Sequence, residues 1–179
     1  SIEDLVLTDM LMKINPQAQV FTLDTGRLFP ESYDVIDKIN MRYKTKMLVL
    51  FPDKDEVEQM VAEHGPNLFY DSIENRKLCC EIRKVKPLKE MLSRLSAWIT
   101  GLRKEQAVTR KDLHKIEWDE SNGIVKINPI ADWSEEQTRK YIQRNNVPYN
   151  KLQDEGFRSI GCAPCTRAIA DDDDIRAGR

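Results

Sequence analysis

The chain has 179 residues, of which 40% are hydrophobic and 32% are charged, so it is long enough to form one domain with a sizeable core. Its net charge of -2 argues against a general nucleic-acid-binding protein. We find no run approaching the roughly 18 apolar residues of a membrane span, and no signal peptide, so we expect a cytoplasmic protein that does not enter a membrane.

The first third of the chain alternates short apolar segments with amphipathic helical ones. Such alternation predicts an α/β fold with a mainly parallel, twisted sheet covered by helices on both faces. The helices are recognised by apolar side chains at helical spacing, acids in the first turn, and a proline or glycine at an end. The predicted segments are helices at 3–14, 30–43 and 53–64 and strands at 19–23 and 47–51.

The turn Asp24-Thr25-Gly26 directly follows the first predicted strand. Ligands gather at the carboxyl ends of strands in parallel sheets, so this polar turn is a candidate binding site. An ordinary tight turn, in which Gly26 supplies only backbone freedom, is the alternative interpretation.

The rest of the chain continues the pattern with less regular spacing. An Asn-Gly pair between apolar segments predicts a hairpin, and a serine followed by two acids predicts the start of a helix. The predicted features are a charged stretch at 76–86, a helix start at Pro87, a strand at 97–100, a basic loop at 101–111, a hairpin turn at Asn122-Gly123 and a helix from Ser134 to about Asn145.

The four cysteines form two tight pairs, Cys79-Cys80 and Cys162-Ala163-Pro164-Cys165. Structural zinc usually takes two Cys-x-x-Cys-like elements, which an adjacent pair imitates poorly. On a helix, adjacent side chains diverge by about 100°, and a cluster with several irons accepts this divergence because each sulfur can bind a different iron. The spacing favours an iron–sulfur cluster, with zinc, disulfides and plain buried thiols left open.

Basic residues follow both cysteine pairs and fill the loop after the strand at 97–100. Arginine forks match phosphate or sulfate oxygens, so this grouping predicts an anionic ligand near the cysteines. A solvated charged surface, or cations that only balance the charge of a thiolate cluster, are the alternatives. The residues are Arg83, Lys84, Lys86, Arg103, Lys104, Arg110, Lys111, Arg167, Arg176 and Arg179.

Several separated motifs occur in one order along nearly the whole chain. They are the segments 1–4, 23–31, 79–84, 101–110, 161–167 and 176–179. In this order they closely resemble the assimilatory adenosine 5′-phosphosulfate (APS) reductases, relatives of the phosphoadenosine-phosphosulfate (PAPS) reductases. The resemblance implies an adenine-nucleotide α-hydrolase-like (Rossmann-like) fold.

The resemblance also implies the composition of the site. A [4Fe-4S] cluster would be bound by Cys79, Cys80, Cys162 and Cys165. The backbone of the turn after the first strand would hold the adenosine, basic side chains would surround the phosphate and sulfate, and Lys84 would lie between cluster and substrate. The implied substrate-binding residues are Asp4, Leu23, Asp24, Thr25, Gly26, Lys84, Gly101, Arg103, Arg110, Arg176 and Arg179.

By the same resemblance, the protein would reduce APS to sulfite and AMP, in sulfate assimilation and cysteine biosynthesis. A cysteine near the C-terminus would form an S-sulfocysteine intermediate, and thioredoxin would then release sulfite. No cysteine follows Cys165. We therefore expect residues 1–179 to be a single reductase domain that lacks the start of its phosphate-binding loop and its C-terminal catalytic tail. We also expect a homo-oligomer.

Three other functions remain open from the sequence. The chain could be a PAPS reductase or one that accepts both substrates, although many PAPS reductases lack both cysteine pairs. It could be a non-catalytic nucleotide-binding module with a cluster or zinc. It could also be a related ATP-pyrophosphatase, whose Ser-Gly-Gly-type loop would precede Ser1. The arginine loop and the paired cysteines would then be unexplained.

Overall fold

The structure is a computed structural model that describes residues 1–170, 173–174 and 177–178. Over this part of the chain, the structure contains six α-helices and five β-strands. The helices are α1 (Ile2–Ile14), α2 (Pro30–Tyr43), α3 (Lys54–His64), α4 (Ile73–Cys80), α5 (Lys86–Leu92) and α6 (Glu135–Asn145). The strands are β1 (Phe21–Leu23), β2 (Leu48–Leu50), β3 (Ala97–Ile99), β4 (Ile116–Asp119) and β5 (Ile124–Ile127).

The strands pair in two sheets. β1 runs parallel to β2, with Leu23 opposite Leu50. β5 lies between β3 and β4, parallel to the former and antiparallel to the latter. The predicted hairpin joins β4 to β5, and Gly123 adopts a φ of +64° in its turn. The α/β fold with mainly parallel pairing is confirmed, and β1, β2 and β3 are shorter than the segments predicted for them.

Capping side chains mark the start of α1, α3 and α6. The Ser1 hydroxyl accepts a hydrogen bond from the Asp4 amide at the start of α1, and Asp53 and Ser134 cap α3 and α6 in the same way. Pro30 occupies the first turn of α2, where its missing N–H costs no hydrogen bond. None of the described helices is both long and apolar enough to cross a lipid bilayer.

One helical run is longer than the sequence predicts. α4 continues through a π-helical turn at Glu81–Val85 into α5, so helix begins well before Pro87. Pro87 has no N–H and its ring crowds the carbonyl four residues back, which disfavours an α-turn at this point. The Lys86 amide instead bonds to the Glu81 carbonyl, five residues back. Cys79 and Cys80 are therefore the last two residues of α4.

Two clusters of buried apolar side chains pack the helices together. The first packs α3 and α4 together with the Leu68–Tyr70 turn, and Cys165 lies against it. The second packs α1 against α6. Their buried members are Met60, Leu68, Phe69, Cys79 and Ile82 in the first, and Ile2, Val6, Ile142 and Val147 in the second.

A buried carboxylate ties three helices together. Asp9 of α1 is 0% exposed and accepts hydrogen bonds from the Tyr43 hydroxyl at 2.7 Å and the Tyr141 hydroxyl at 2.6 Å. Lys13 Nζ lies 2.7 Å from the same carboxylate. Burial alone would raise the pKa of Asp9, but the hydrogen bonds from Lys13, Tyr141 and Tyr43 outweigh it, so the pKa lies below the ordinary value.

Candidate functional site

The turn after β1 is tightly constrained. Asp24 is buried; its Oδ1 accepts a hydrogen bond from the Gly26 amide at 2.7 Å, and its Oδ2 accepts one from the Tyr33 hydroxyl at 2.9 Å. Gly26 has a φ of +73°, a conformation that favours glycine. Leu23 is the last residue of β1, so the turn lies at the carboxyl end of a parallel strand as predicted.

Both cysteine-bearing segments contact this turn through Thr25. The Thr25 hydroxyl and the Cys162 thiol lie 3.1 Å apart, within hydrogen-bonding distance for sulfur. On the other side, the Thr25 carbonyl accepts a hydrogen bond of 2.8 Å from Arg83 Nη1, which belongs to the π-turn after Cys80. Thr25 of the candidate nucleotide turn therefore contacts one cysteine of the second pair and an arginine that closely follows the first pair.

The four thiols lie within electrostatic reach of one another. Burial raises the pKa of the Cys79 thiol, the neighbouring Arg83 guanidinium partly offsets this rise, and the thiols of Cys80, Cys162 and Cys165 add to it. Cys162 and Cys165 flank a short turn at Ala163–Cys165, and the carbonyl of Pro164 in this turn accepts a hydrogen bond of 3.0 Å from the Tyr70 hydroxyl.

The donor set suits an iron–sulfur cluster. Cys79 is buried and Cys80 exposed, as expected for adjacent helical side chains that diverge by about 100°. Thiolates that point apart can bind separate irons of one cluster. Among the residues that the structure describes, no group of three or more His, Cys, Asp or Glu side chains could hold a metal ion. The assignment of Cys162 and Cys165 with the helical pair as ligands therefore stays a prediction.

The loop after β3 is joined to the first turn of α1. The Gly101 amide donates a hydrogen bond of 3.1 Å to Asp4 Oδ1. A Cβ atom at Gly101 would lie 2.6 Å from that oxygen and 2.9 Å from the Asp4 amide nitrogen, which is too close for any side chain. Glycine is needed here because two backbone segments approach each other, and the contact brings together two of the predicted site residues.

Arg103, predicted to bind phosphate or sulfate, is buried in an ion pair. Only 1% of its side chain is exposed, and Glu3 Oε1 lies 3.0 Å from its Nε and 2.9 Å from its Nη2. Its Nη1 contacts Glu105 at 3.2 Å and the Trp133 carbonyl at 3.3 Å. The whole guanidinium is thus engaged within the protein, and a role as a substrate ligand stays a prediction.

The other predicted basic residues have different surroundings. Lys84 is exposed on the π-turn, and Arg110 is half-buried with its guanidinium bonded to the Gln106 side chain. Arg176 and Arg179 lie outside the described residues.

From the sequence, Arg83 is predicted only as one of the basic residues near an anionic ligand, and Tyr33 and Glu3 have no predicted role, although all three shape the site. Arg83 stands four residues after Cys79, a spacing that often places side chains on one helical face, so a signal was present. Tyr33 gave no signal. Glu3 is read from sequence as an ordinary acid in the first turn of a helix, and nothing links it to Arg103, 100 residues later.

Parallel strand pairing with polar turns at the carboxyl ends of strands defines a Rossmann-like α/β protein of the adenine-nucleotide α-hydrolase class. A solved structure of PAPS reductase from Candida auris, a phosphate complex, superposes with a TM-score of 0.79 at 35% identity, covering 93% of this chain and 79% of that one. The chain belongs to the phosphoadenosine phosphosulfate reductase domain family, whose model matches residues 1–168.

Curated relatives of the family match nearly the whole chain. The adenosine 5′-phosphosulfate reductase of Allochromatium vinosum is 48% identical over 177 residues, which cover 99% of this chain and 69% of that protein. The reductase of the same name from Burkholderia cepacia is also 48% identical, over 99% of this chain and 71% of that protein. FMN adenylyltransferase from Candida glabrata, at 18% identity and a TM-score of 0.57 over 88% of this chain and 49% of that one, shares the fold alone.

Proposed function

We propose that this chain is the reductase domain of an enzyme that converts APS to sulfite and AMP, in sulfate assimilation and cysteine biosynthesis. The observation that carries the proposal is the identity of 48% over 99% of the chain to reductases named for that substrate. The arrangement of the site supports it, because a strand-end turn suited to a nucleotide is bonded directly to a cysteine-bearing segment.

The proposal includes a [4Fe-4S] cluster on Cys79, Cys80, Cys162 and Cys165. The support is the four-thiol donor set on a helix end and a facing turn. When bound, such a cluster would cross-link α4 to the second cysteine turn and add negative charge beside Thr25.

The chain's own residues would bind and orient the substrate. The backbone of 23–26 would hold the adenosine, while Lys84, Arg110 and, outside the described residues, Arg176 and Arg179 would surround the phosphate and sulfate. These cations would offset the repulsion between a thiolate and an anionic substrate, and would stabilise the charge that develops on the departing phosphate. Gly101 and Asp4 would position the loop that carries Arg103.

The attacking thiolate is proposed to come from a cysteine beyond these 179 residues, since the four present are assigned to the cluster. Its sulfur would bond to the sulfate sulfur of APS. The bond between the sulfate sulfur and the oxygen that bridges to the phosphate would break, and AMP would leave with the electron pair of that bond. A thioredoxin thiolate would then attack the cysteine sulfur and expel sulfite. The second thioredoxin thiol would resolve the mixed disulfide, so the dithiol supplies both electrons. A full-length protein without a further cysteine would contradict this mechanism.

A PAPS substrate is the second candidate, favoured by the match to the Candida auris PAPS reductase at 35% identity. The test is anaerobic purification of the full-length protein, then measurement of sulfite released from APS and from PAPS with thioredoxin. We expect faster release from APS. Equal rates would contradict the APS preference, and no release from either substrate would favour a non-catalytic module. We also propose that the protein is cytoplasmic and forms a homo-oligomer. The molar mass of the same preparation, measured by light scattering, tests the oligomeric state.

Iron and acid-labile sulfide analysis tests the cofactor. We expect about four of each per chain. Cys80→Ser should lose most of the iron, whereas Lys89→Ser, an exposed residue farther along the same helical run, should retain it. Zinc without sulfide would contradict the cluster.

A further inference from the structure

Arg83 is a buried cation that has no carboxylate partner in the described part of the chain. Its side chain lies in the π-turn after the first cysteine pair and is only 9% exposed. Among the residues that the structure describes, no Asp or Glu lies within ion-pair distance of Arg83, and its buried Nε makes no hydrogen bond. Burying an arginine with an unpaired N–H is unfavourable unless negative charge is nearby.

The negative charge that fits is that of thiolates. Arg83 stands four residues after Cys79 on one continuous helical run, a spacing that places two side chains on the same face, and Thr25, to which Arg83 is bonded, also contacts the Cys162 thiol. Thiolates bound to a cluster would therefore compensate this guanidinium, which has no carboxylate partner among the described residues.

The same guanidinium holds the candidate nucleotide turn. Arg83 Nη1 donates a hydrogen bond of 2.8 Å to the Thr25 carbonyl. A Cβ atom at Gly26 would lie 3.3 Å from Nη1, so the turn and the guanidinium are packed with little space between them. A shift of Arg83 would therefore move backbone that the proposed nucleotide contacts.

We propose that Arg83 is a positioning residue that couples the nucleotide turn to the thiolate site, with its charge balanced by the cysteines and one nitrogen fixed on Thr25. This inference rests on the proposed function for the identity of the ligand, which is a nucleotide substrate that yields AMP. Nucleotide binding and cluster retention are then linked, because a change at Arg83 disturbs both.

The test uses the full-length holoprotein with Arg83→Met, Arg83→Lys and, as a matched control, Lys89→Met, an exposed cation six residues later on the same helical run. AMP affinity is measured by calorimetry, and iron and sulfide are measured on the same samples. Loss of a charge-assisted hydrogen bond predicts at least about tenfold weaker AMP binding for Arg83→Met, together with loss of iron. Arg83→Lys should keep the iron, because it keeps the charge, but should bind AMP severalfold more weakly because the planar fork is lost. Lys89→Met should match the wild type in both.

AMP affinity within twofold of wild type in a folded Arg83→Met protein would overturn the proposal. Unchanged iron content would overturn the charge-balancing part. If Arg83→Met does not fold, Arg83→Lys decides: wild-type AMP affinity in that variant overturns the coupling. A wild-type protein that binds AMP but releases no sulfite would overturn the proposed reaction while leaving the Arg83 result to stand, so the two failures are distinguishable.

Discussion

Replacing Glu3 by glutamine is expected to destabilise the protein by leaving the buried guanidinium of Arg103 without its main counter-charge. Glu3 and Arg103 side chains are 6% and 1% exposed, and two nitrogens of the guanidinium lie within 3.0 Å of one Glu3 oxygen. Removing one partner of a buried ion pair costs about 3–5 kcal/mol. Glu105 still contacts Nη1 at 3.2 Å but is 56% exposed, so we expect the lower end, about 3 kcal/mol.

Urea unfolding followed by circular dichroism measures this loss. With an m-value of about 2 kcal/mol/M, the unfolding midpoint should fall by about 1.5 M at unchanged m. Glu105→Gln is the matched control, because an exposed partner contributes about 1 kcal/mol or less. A midpoint shift below about 0.5 M for Glu3→Gln would refute the reasoning that Glu3 compensates the buried charge of Arg103.

The double variant Glu3→Leu/Arg103→Met tests whether Arg103 also contributes to AMP binding. An apolar pair of similar volume often restores the stability lost with a buried ion pair. If the stable double variant binds AMP with wild-type affinity, Arg103 acts through the fold. If it folds and loses AMP binding, the predicted contact of Arg103 with the substrate is supported.

Three further predictions follow from buried contacts. Asp9→Asn should lower the melting temperature near pH 7. Because the pKa of Asp9 is depressed in the folded state, the stability that its charge contributes is present above about pH 4 and is lost as the pH falls further. A difference in melting temperature between wild type and variant that persists undiminished at pH 2 would contradict this explanation. Gly101→Ala should cost about 1–3 kcal/mol and weaken AMP binding, because the new Cβ would lie 2.6 Å from Asp4 Oδ1. Gly123→Ala, at φ +64° with open space around it, should cost about 1–2 kcal/mol and leave AMP binding unchanged; equal AMP losses would remove the steric explanation. Asn128→Ala removes two hydrogen bonds of a fully buried side chain, one of 2.5 Å accepted from the Thr100 hydroxyl and one of 2.8 Å donated to the His114 carbonyl. The melting temperature should fall by roughly 5–10 °C, and a drop under about 2 °C would contradict this expectation.

The parts of the fold that sequence predicts well are those with local chemical causes. α2 begins at Pro30 and α6 follows Ser134, because a proline in the first turn and a capping hydroxyl act within a few residues. The hairpin at Gly123 has the same kind of local origin. The π-turn was missed, although Pro87 makes an α-turn unfavourable, because the charged residues before it carry no apolar periodicity.

The direction in which a basic side chain points could not be predicted. Arg103 lies in a basic loop, and its composition suits an anionic ligand as well as it suits a buried carboxylate 100 residues away. The spacing of four residues between Cys79 and Arg83 indicates that both lie on one helical face. The hydrogen bond from Arg83 to Thr25, however, depends on how the turn after β1 packs against the helix that carries the first cysteine pair. Contacts of this kind are set by tertiary packing, and a single sequence does not encode them in any local pattern.

The attachment of the loop after β3 to α1 limits how the site can open. Gly101 is fixed to Asp4 with no room for a side chain, and two residues later Arg103 is enclosed beside Glu3. A segment anchored twice to the first turn of a helix has to move with that helix, so this loop is poorly suited to act as a hinged flap. Its backbone amides should exchange hydrogen about as slowly as those of α1, and the entry and departure of ligands would then depend on other segments.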